Sequence, residues 1–332
     1  MFPVVLLLKP DLSFQLRSGT GAIIDNRNQN CRKPVMNADA LVRFNELKPL
    51  LFSIAYRMLG TVMDAEDMVQ ETFIRWQASD YQNVQSAKAW LSTVITRLCI
   101  NHLKSARIQR ETYVGPWLPE PLVSKTGNDP GENASLSDSL SLAFLVVLES
   151  LSPTERAVFL LREVFNCAFS EIAPMVEKTE ANCRQILARA RKSVEERRPR
   201  FDATPESAEL LIQQFDEAVQ TGNLANLLKL LAEDVVLVSD GGGKARALLR
   251  PILGPDHVAR LLIGAAKKFG SVPQVRRPAS INGLPGIISF EHNRIARVLA
   301  FGIRNQRIQS LFIIANPDKL RHLPEFPLQN PK

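Results

Sequence analysis

The sequence predicts a multidomain chain in which two all-α modules, the second ending in a helix-turn-helix, precede an α+β cone. Three observations carry this. Apolar residues keep helical spacing from Ala40 to Val194, recurring at i, i+3 and i+4 rather than alternating. A Pro- and Gly-rich segment at 109–138 interrupts that pattern and divides the helical part in two. Beyond Pro205 two further helices come first, and then short β-branched runs bounded by turn residues replace the helical period. At 332 residues the chain is long enough for each part to bury its own core.

Residues 1–39 carry little pattern. Val4 to Leu8 is apolar, but Lys9-Pro10 ends the run, no basic stretch precedes it, and no cleavage site follows. The segment reads as a disordered tail or a mis-called start, with Met36 as the alternative first residue. From Ala40 to Leu59 the positions Leu41, Phe44, Leu47, Leu51, Ile54, Ala55, Met58 and Leu59 trace one helical face, closed by Gly60-Thr61. Asp64 to Gln77 is a second helix with Ala65, Met68, Val69, Phe73 and Trp76 inward, and Asp64, Asp67, Gln70, Glu71 and Arg75 outward. That outward face is either simply solvated or a docking surface for a basic helix. Lys88 to Arg107 is a third helix, with Leu91, Val94, Ile95, Leu98 and His102 inward and a stripe of Thr93, Arg97, Asn101 and Lys104 outward. Tyr81 and Trp90 near its start, beside that polar and basic stripe, suit single-stranded bases that stack on rings while phosphates meet cations.

The linker at 109–138 is expected to run extended across the surface. Helices then span Leu140 to Leu151 and Thr154 to Val164, the second opened by Ser152-Pro153 at cap and first turn. The 29 residues from Ser170 to Arg198 organise the second module at 139–198. Ser170 is expected to cap a short helix carrying Ile172, Ala173 and Val176, with Pro174 near enough to its start not to break it. Glu177-Lys178 makes a turn and Thr179 caps a second helix, whose Cys183, Leu187, Ala190 and Val194 form a buried stripe. Its opposite face carries Ala181, Gln185, Ala188, Arg189 and Lys192, flanked by Asn182, Arg184 and Arg191. Small and amide-bearing residues come first and cations follow, as in a helix that reads base edges near its N-terminus and holds phosphates further along. The solvated face of an ordinary helical hairpin would show the same pattern.

Composition supports an acidic partner. The formal charge is +7, and from Arg184 to Arg200 seven basic residues accompany only two acids. The cysteines at 31, 99, 167 and 183 form no C-x-x-C pair, so a disulfide scaffold, a zinc site and any metal or cofactor are not expected. No apolar run approaches the length of a membrane span. A reducing, cytoplasmic setting fits.

These pieces resemble one family. Phe44 to Lys104 is similar to region 2 of bacterial sigma factors of the extracytoplasmic-function group: DAEDMVQETF looks like the core-polymerase-binding helix and AWLSTVITRLCINHL the promoter-melting helix. LSPTERAVFLLREVF, followed by FSEIA and the second helix, resembles region 4. The linker YVGPWLPEP (Tyr113 to Pro121), the helix TEANCRQI, the loop DGGGK (Asp240 to Lys244) and the terminal NPDKL (Asn316 to Leu320) resemble the subgroup carrying a fused SnoaL-like domain. The resemblance implies that Asp67, Gln70, Glu71 and Arg75 face the clamp helices of RNA polymerase core, with region 4 toward its flap. It implies that Tyr81, Asn83, Trp90, Arg97, Asn101 and Lys104 lie near the opened minus-ten element of promoter DNA. Asn182, Arg184, Gln185, Arg189 and Lys192 would meet the minus-thirty-five element. Region 2 ends LKSARIQRE, without the denser arginine run common in the group.

In the last third, after a hinge at 199–205, Glu206 to Gln220 and Gly222 to Leu231 read as helices. Val235 to Ser239, Ala247 to Ile252, Ile287 to Phe290, Ile295 to Ile303 and Ile308 to Ala315 read as strands, with Pro255 to Phe269 a helix between them. Asn282-Gly283, His292-Asn293 and Asn305-Gln306 mark turns. The order resembles SnoaL-like and ketosteroid-isomerase-like cones at 206–320, with 321–332 a tail. Asp240, Lys244, His257 and Glu291 are the acid-base candidates, and the sequence pairs none of them, so no catalysis is expected. Gly241, Gly242 and Gly243 read either as an anion cradle or as a surface loop. The resemblance implies instead that the fused domain acts in place of a separate anti-sigma factor, with Asp240 to Lys244 touching the sigma regions and the tail after Ala315, beginning Asn316, Pro317, Asp318, Lys319 and Leu320, setting activity. Two alternatives stand beside a self-regulated sigma factor: an enzyme with an appended DNA-binding module, and a domain that senses a small-molecule ligand. Region 2 argues against the first, since a repressor-type fusion has no use for a polymerase-docking helix.

Overall fold

The computed structural model describes residues 38–111, 113–124, 141–196, 201, 204–269 and 274–323. The expectations for residues 1–37, for Met36 as a start, for the rest of the linker, for positions 199–200 and 202–203 of the hinge, and for the tail after 323 lie outside the described residues.

Three helices open the fold: α1 (Ala38–Leu59), α2 (Val62–Ala78) and α3 (Ala87–Glu111). Phe44, Leu51, Ile54 and Met58 of α1 meet Ala65, Val69 and Trp76 of α2 and Leu91, Ile95 and Cys99 of α3 in a dry core. The buried indole of Trp76 donates to the Ala40 carbonyl at 3.0 Å, which satisfies its one polar atom and ties α2 to the start of α1. Gly60, at φ +75°, ends α1 in the left-handed conformation that glycine adopts without steric cost. His102 is not in the core. The inward stripe of α3 is Leu91, Ile95, Cys99 and Leu103, and His102 sits on its flank, part-exposed and 3.6 Å from Asp64.

The second helical module is α4 (Leu142–Leu148), α5 (Pro153–Glu163), α6 (Phe169–Val176) and α7 (Glu180–Glu195). Ser152 and Glu155 cap α5 reciprocally, each side chain accepting from the other's amide. Two expectations for α6 need correction. Ser170 lies inside the helix, and the start is closed instead by the Glu171 carboxylate accepting from the Ala168 amide at 2.7 Å. Pro174 is therefore well inside an eight-residue helix. Glu177 adopts φ +56° to make the turn, and Thr179 caps α7 by accepting from the Asn182 amide at 3.2 Å. Cys183, Ile186, Leu187, Ala190 and Val194 are buried along α7.

The two helical modules do not stand apart. Their apolar residues form one continuous core in which Tyr56, Met58 and Leu59 join Phe159, Leu160 and Ile172.

The C-terminal domain places α8 (Pro205–Thr221), α9 (Leu224–Leu230) and α10 (Pro255–Phe269) against a seven-stranded sheet. Its strands are β1 (Val123–Ser124), β2 (Leu231–Asp240), β3 (Ile252–Leu253), β4 (Gln274–Ile281), β5 (Leu284–Glu291), β6 (Arg294–Arg304) and β7 (Arg307–Ile314). They lie in the order β1-β4-β5-β6-β7-β2-β3, with only β2 and β7 parallel. Register shifts after Ser289 and after Gly302 curve the sheet. All three turn pairs are as expected, with positive φ at Asn282, His292, Asn293, Asn305 and Gln306. Of Ala247 to Ile252 only Ile252 joins a strand, and β4 was not foreseen, because Arg276, Arg277 and Pro278 hide its period.

One face of the sheet packs on α8, α9 and α10 through Phe215, Val258, Phe301 and Leu311. The opposite face is also covered. Ile281, Ile288, Phe290, Phe312 and Ile314 meet Leu118 of the linker, Leu142 and Ala143 of α4, and Leu320 and Leu323 beyond the last strand. The described linker residues from Leu118 to Pro121 are thus not on the surface: Leu118 and Glu120 are buried and β1 pairs with β4. Burial is tolerated because their backbone groups find partners on both sides.

Candidate functional surfaces

On α2, Asp67, Gln70 and Arg75 are exposed and Glu71 pairs with Arg75 at 2.8 Å. Met63 and Ile74 are about half exposed on the same helix. Beside them a groove of about 660 Å³ runs between α1 and α2, lined by Leu41, Phe44, Phe52, Val69, Gln70 and Phe73. A polar rim around an apolar channel is the anatomy of a protein-docking surface.

The α3 surface is more constrained than its sequence suggests. Asn101 and Lys104 are exposed, and Asn83 is held by Asp80 at 2.7 Å. Tyr81 and Trp90 are half-buried and flank Trp76, with ring centroids 5.8 and 5.2 Å from it, so part of each ring serves the core. Arg97 reaches the second module. Its Nη2 donates to the Pro174 carbonyl at 2.7 Å, its Nε to the Met175 carbonyl at 3.3 Å, and Glu177 lies 3.5 Å away. Arg156, buried on α5, makes the converse contact: its Nη1 donates to the Met58 carbonyl at 2.6 Å and to Glu149 at 2.8 Å. Sequence reading assigned Arg156 no role, and an arginine in an otherwise apolar helix face was the only signal available.

On α7, Asn182, Arg184, Gln185, Arg189 and Lys192 share the exposed face. Arg184 bonds Glu180 at 2.8 Å and lies over the Phe169 ring at 4.9 Å. Arg191 is turned aside to Glu163 at 2.7 Å.

The loop Asp240 to Lys244 and the segment Asn316 to Leu320 close on the linker between them. Asp240 is fully buried at the end of β2. It accepts from Tyr113 Oη at 2.5 Å, the Leu118 amide at 2.8 Å, the Gly242 amide at 3.0 Å and Lys319 Nζ at 2.7 Å. Lys319 also donates to the Leu118 carbonyl, and its ammonium lies 4.2 Å from the Trp117 ring centre and 5.0 Å from that of Tyr113. Burial, then the hydrogen bond to Asp240, push the Tyr113 phenol well above its ordinary pKa, so it stays a donor. The glycines are required by contact. A Cβ on Gly242 would overlap Asn316 and crowd Tyr113 at 3.0 Å, and one on Gly243 would press on Val114 at 3.3 Å. Lys244 pairs with Asp318, whose carboxyl that bond holds below its ordinary range. Leu320 is buried against the sheet, and Pro317 opens its 3₁₀ turn.

A second junction lies on the first module. The buried Tyr56 hydroxyl donates to the Glu120 carbonyl and accepts from Asn282 Nδ2, both at 2.7 Å, while Asn282 Oδ1 takes the Leu122 amide at 2.9 Å. The Glu120 carboxylate accepts from the Val62 amide at 2.7 Å, so a linker residue caps α2. Gly60 is close enough to Trp117 that a Cβ would come within 2.5 Å of the indole. Neither Tyr56 nor Asn282 showed this role in the sequence.

The acid-base candidates occupy separate structural contacts. Asp240 and Lys244 are bound as above, Glu291 pairs with Arg297 at 2.9 Å, and the exposed His257 is 3.2 Å from the Leu253 carbonyl. A cleft of about 620 Å³ between α8 and β4–β5 has Ile212, Ala279 and Ile287 at its floor and the Arg276–Asp216 pair at its wall. No group of potential metal ligands and no helix long and apolar enough to cross a membrane occurs among the described residues.

Comparisons with known proteins agree with this layout. The Sigma-70 region 2 family matches residues 43–108 and the Sigma-70, region 4 family residues 141–194. The chain is 35% identical over 292 residues to the ECF RNA polymerase sigma factor SigJ of Mycobacterium tuberculosis, covering 85% of this chain and 93% of that one. It is 31% identical over 272 residues to the probable ECF RNA polymerase sigma factor SigI of the same species, covering 81% and 91% respectively. The crystal structure of Mycobacterium tuberculosis SigJ matches with a TM-score of 0.69 at 33% identity, over 86% of this chain and 100% of that chain. With both sigma modules in order, and relatives above 30% identity that cover more than four fifths of it, the chain belongs to the extracytoplasmic-function sigma factors.

Proposed function

We propose that this chain directs core RNA polymerase to specific promoters and that its own C-terminal domain holds it in a closed form between rounds of use. The observation that supports self-regulation is the grip on the linker. Asp240 at the end of β2 and Lys319 beyond the end of β7 meet at the Leu118 backbone. In this reading α2 and the α1–α2 groove receive the clamp helices, α3 faces the melted minus-ten strand, and α7 reads the minus-thirty-five element. Region 4 carries the flap contact. The shared core of the two modules supports closure as a separate state, because two promoter elements some 20–25 base pairs apart need modules far apart, at roughly 3.4 Å per base pair. The tethered domain acts at high effective concentration, so modest contacts suffice to bias the equilibrium. A cytoplasmic location and the absence of catalysis follow from this role.

The test is transcription in vitro with purified chain and a cognate core enzyme on genomic promoter fragments. Specific transcripts are expected from a promoter set that core alone does not use; no transcript from any promoter, together with no binding to core, would refute the reading. The α8–β4–β5 cleft favours a second element, a small-molecule ligand that shifts the closed state. Its apolar floor and charged wall suit an amphipathic molecule. A metabolite screen by thermal shift of the full chain checks it.

A further inference from the structure

We infer that Arg97 and Arg156 form a reciprocal latch between the two sigma modules, each closing the C-terminal end of a helix in the other, so that one side chain cannot serve closure and promoter contact together. The inference rests on the sigma-factor reading and deepens it.

Helix ends leave carbonyls without intrahelical partners and concentrate partial negative charge there. At the end of α1 the Tyr56 carbonyl is taken by the Gly60 amide and the Gly60 carbonyl by the Glu120 amide, while Met58 is served by Arg156 from the other module. At the end of α6 the Ala173 carbonyl takes the Lys178 amide, and those of Pro174 and Met175 are served by Arg97. Guanidinium suits both places because it stays charged and carries several donors: Arg97 spans two adjacent carbonyls with Nε and Nη2, and Arg156 Nη1 serves both Met58 and Glu149.

The two contacts differ in access. Arg156 has only 3% of its side chain exposed, whereas Arg97 keeps 45%. Arg156 can be released only when the modules part. Arg97 can be approached by a competitor while they are still together. In the closed form its donors aim at region 4, and the Glu177 carboxylate at 3.5 Å would repel a phosphate brought to the same spot. Closure thus occupies a cation that the minus-ten strand would use.

The test is amide hydrogen exchange on the free full-length chain, comparing wild type with Arg156→Met and Arg97→Met. A latch predicts reciprocal effects: Arg156→Met speeds exchange of Met175 to Lys178 by about tenfold, and Arg97→Met does the same for Met58 to Gly60, as local opening becomes less costly. Acceleration confined to each variant's own neighbourhood would overturn the latch. Should Arg156→Met fail to fold, the exposed Arg97→Met variant decides alone, through the exchange rate at Met58 to Gly60. Transcription is measured in parallel. Reciprocal exchange without any transcription in the wild type would leave the latch standing and remove the sigma-factor reading instead.

Discussion

Lys319 is buried with Asp240, and both would be costly there without each other. Neither is solvent-screened, with 6% and 0% of the side chain exposed, so removing one partner leaves an uncompensated charge in the interior. Lys319→Met keeps an apolar stem of similar length and removes the ammonium, and with it the bonds to Asp240 and the Leu118 carbonyl and the contacts over the Trp117 and Tyr113 rings. It should destabilise the full chain by about 3–5 kcal/mol in urea unfolding; a loss below about 1 kcal/mol would mean that the Tyr113, Leu118 and Gly242 donors already satisfy Asp240. The sequence showed Asp240 and Lys319 as motif residues without showing that they meet. Nor did it decide between an anion cradle and a loose loop for Gly241 to Gly243. The reason is distance along the chain: Asn316 and Tyr113 set the need for glycine, and Tyr113 lies 127 positions from Asp240 and 203 from Asn316. Local spacing cannot carry such information.

Helices were far more legible than strands, since α1, α2, α5, α7 and α10 each announce themselves by a stripe, a cap or a flanking glycine or proline. The edge of the sheet was not, because β1 is two residues of linker and Pro278 stands in the middle of β4. Of the proposed DNA face, α7 carries a direct expectation: Arg184→Ala should weaken or broaden minus-thirty-five recognition by roughly 1–3 kcal/mol if its guanidinium leaves Glu180 for a base edge. Promoter profiling of the variant checks this, and an unchanged profile would remove the contact. The start of α2 depends on pH. Burial raises the Glu120 carboxyl, opposed by the Val62 amide and by His322, Met63 and Lys319. A raised folded-state value means that this group's contribution is present below the unfolded pKa of about 4.3 and is lost as pH rises through the folded value. Asp318, held low by Lys244, acts in the opposite sense: its contribution is present above the ordinary aspartate range and lost as pH falls through its depressed value. Thermal unfolding across the carboxylate range should therefore show a component that weakens with rising pH and disappears in Glu120→Gln. Persistence of that component in the variant would assign it elsewhere.

Three units meet on the linker residues from Tyr113 to Leu122. Region 2 supplies Gly60 and Tyr56, region 4 supplies Leu142 and Ala143, and the C-terminal domain supplies a sheet face, Asp240 and the segment after Ala315. Cutting the chain after Ala315 leaves β7 intact, since it ends at Ile314. The cut removes Asn316, Lys319, Leu320, His322 and Leu323 together. Asp240 then keeps its carboxylate in the interior without its cation, and the sheet face loses two apolar covers. Both effects act on the closed form and leave α3 and α7 untouched, while the loss of His322 reaches α2 only through Glu120 at its start. The truncated chain should therefore open more readily, seen as faster exchange of the amides from Tyr113 to Leu122, and should yield more transcript from the same promoters. Equal output with equal linker protection would show that the segment after Ala315 is a passenger, and that closure is set by the contacts between the helical modules.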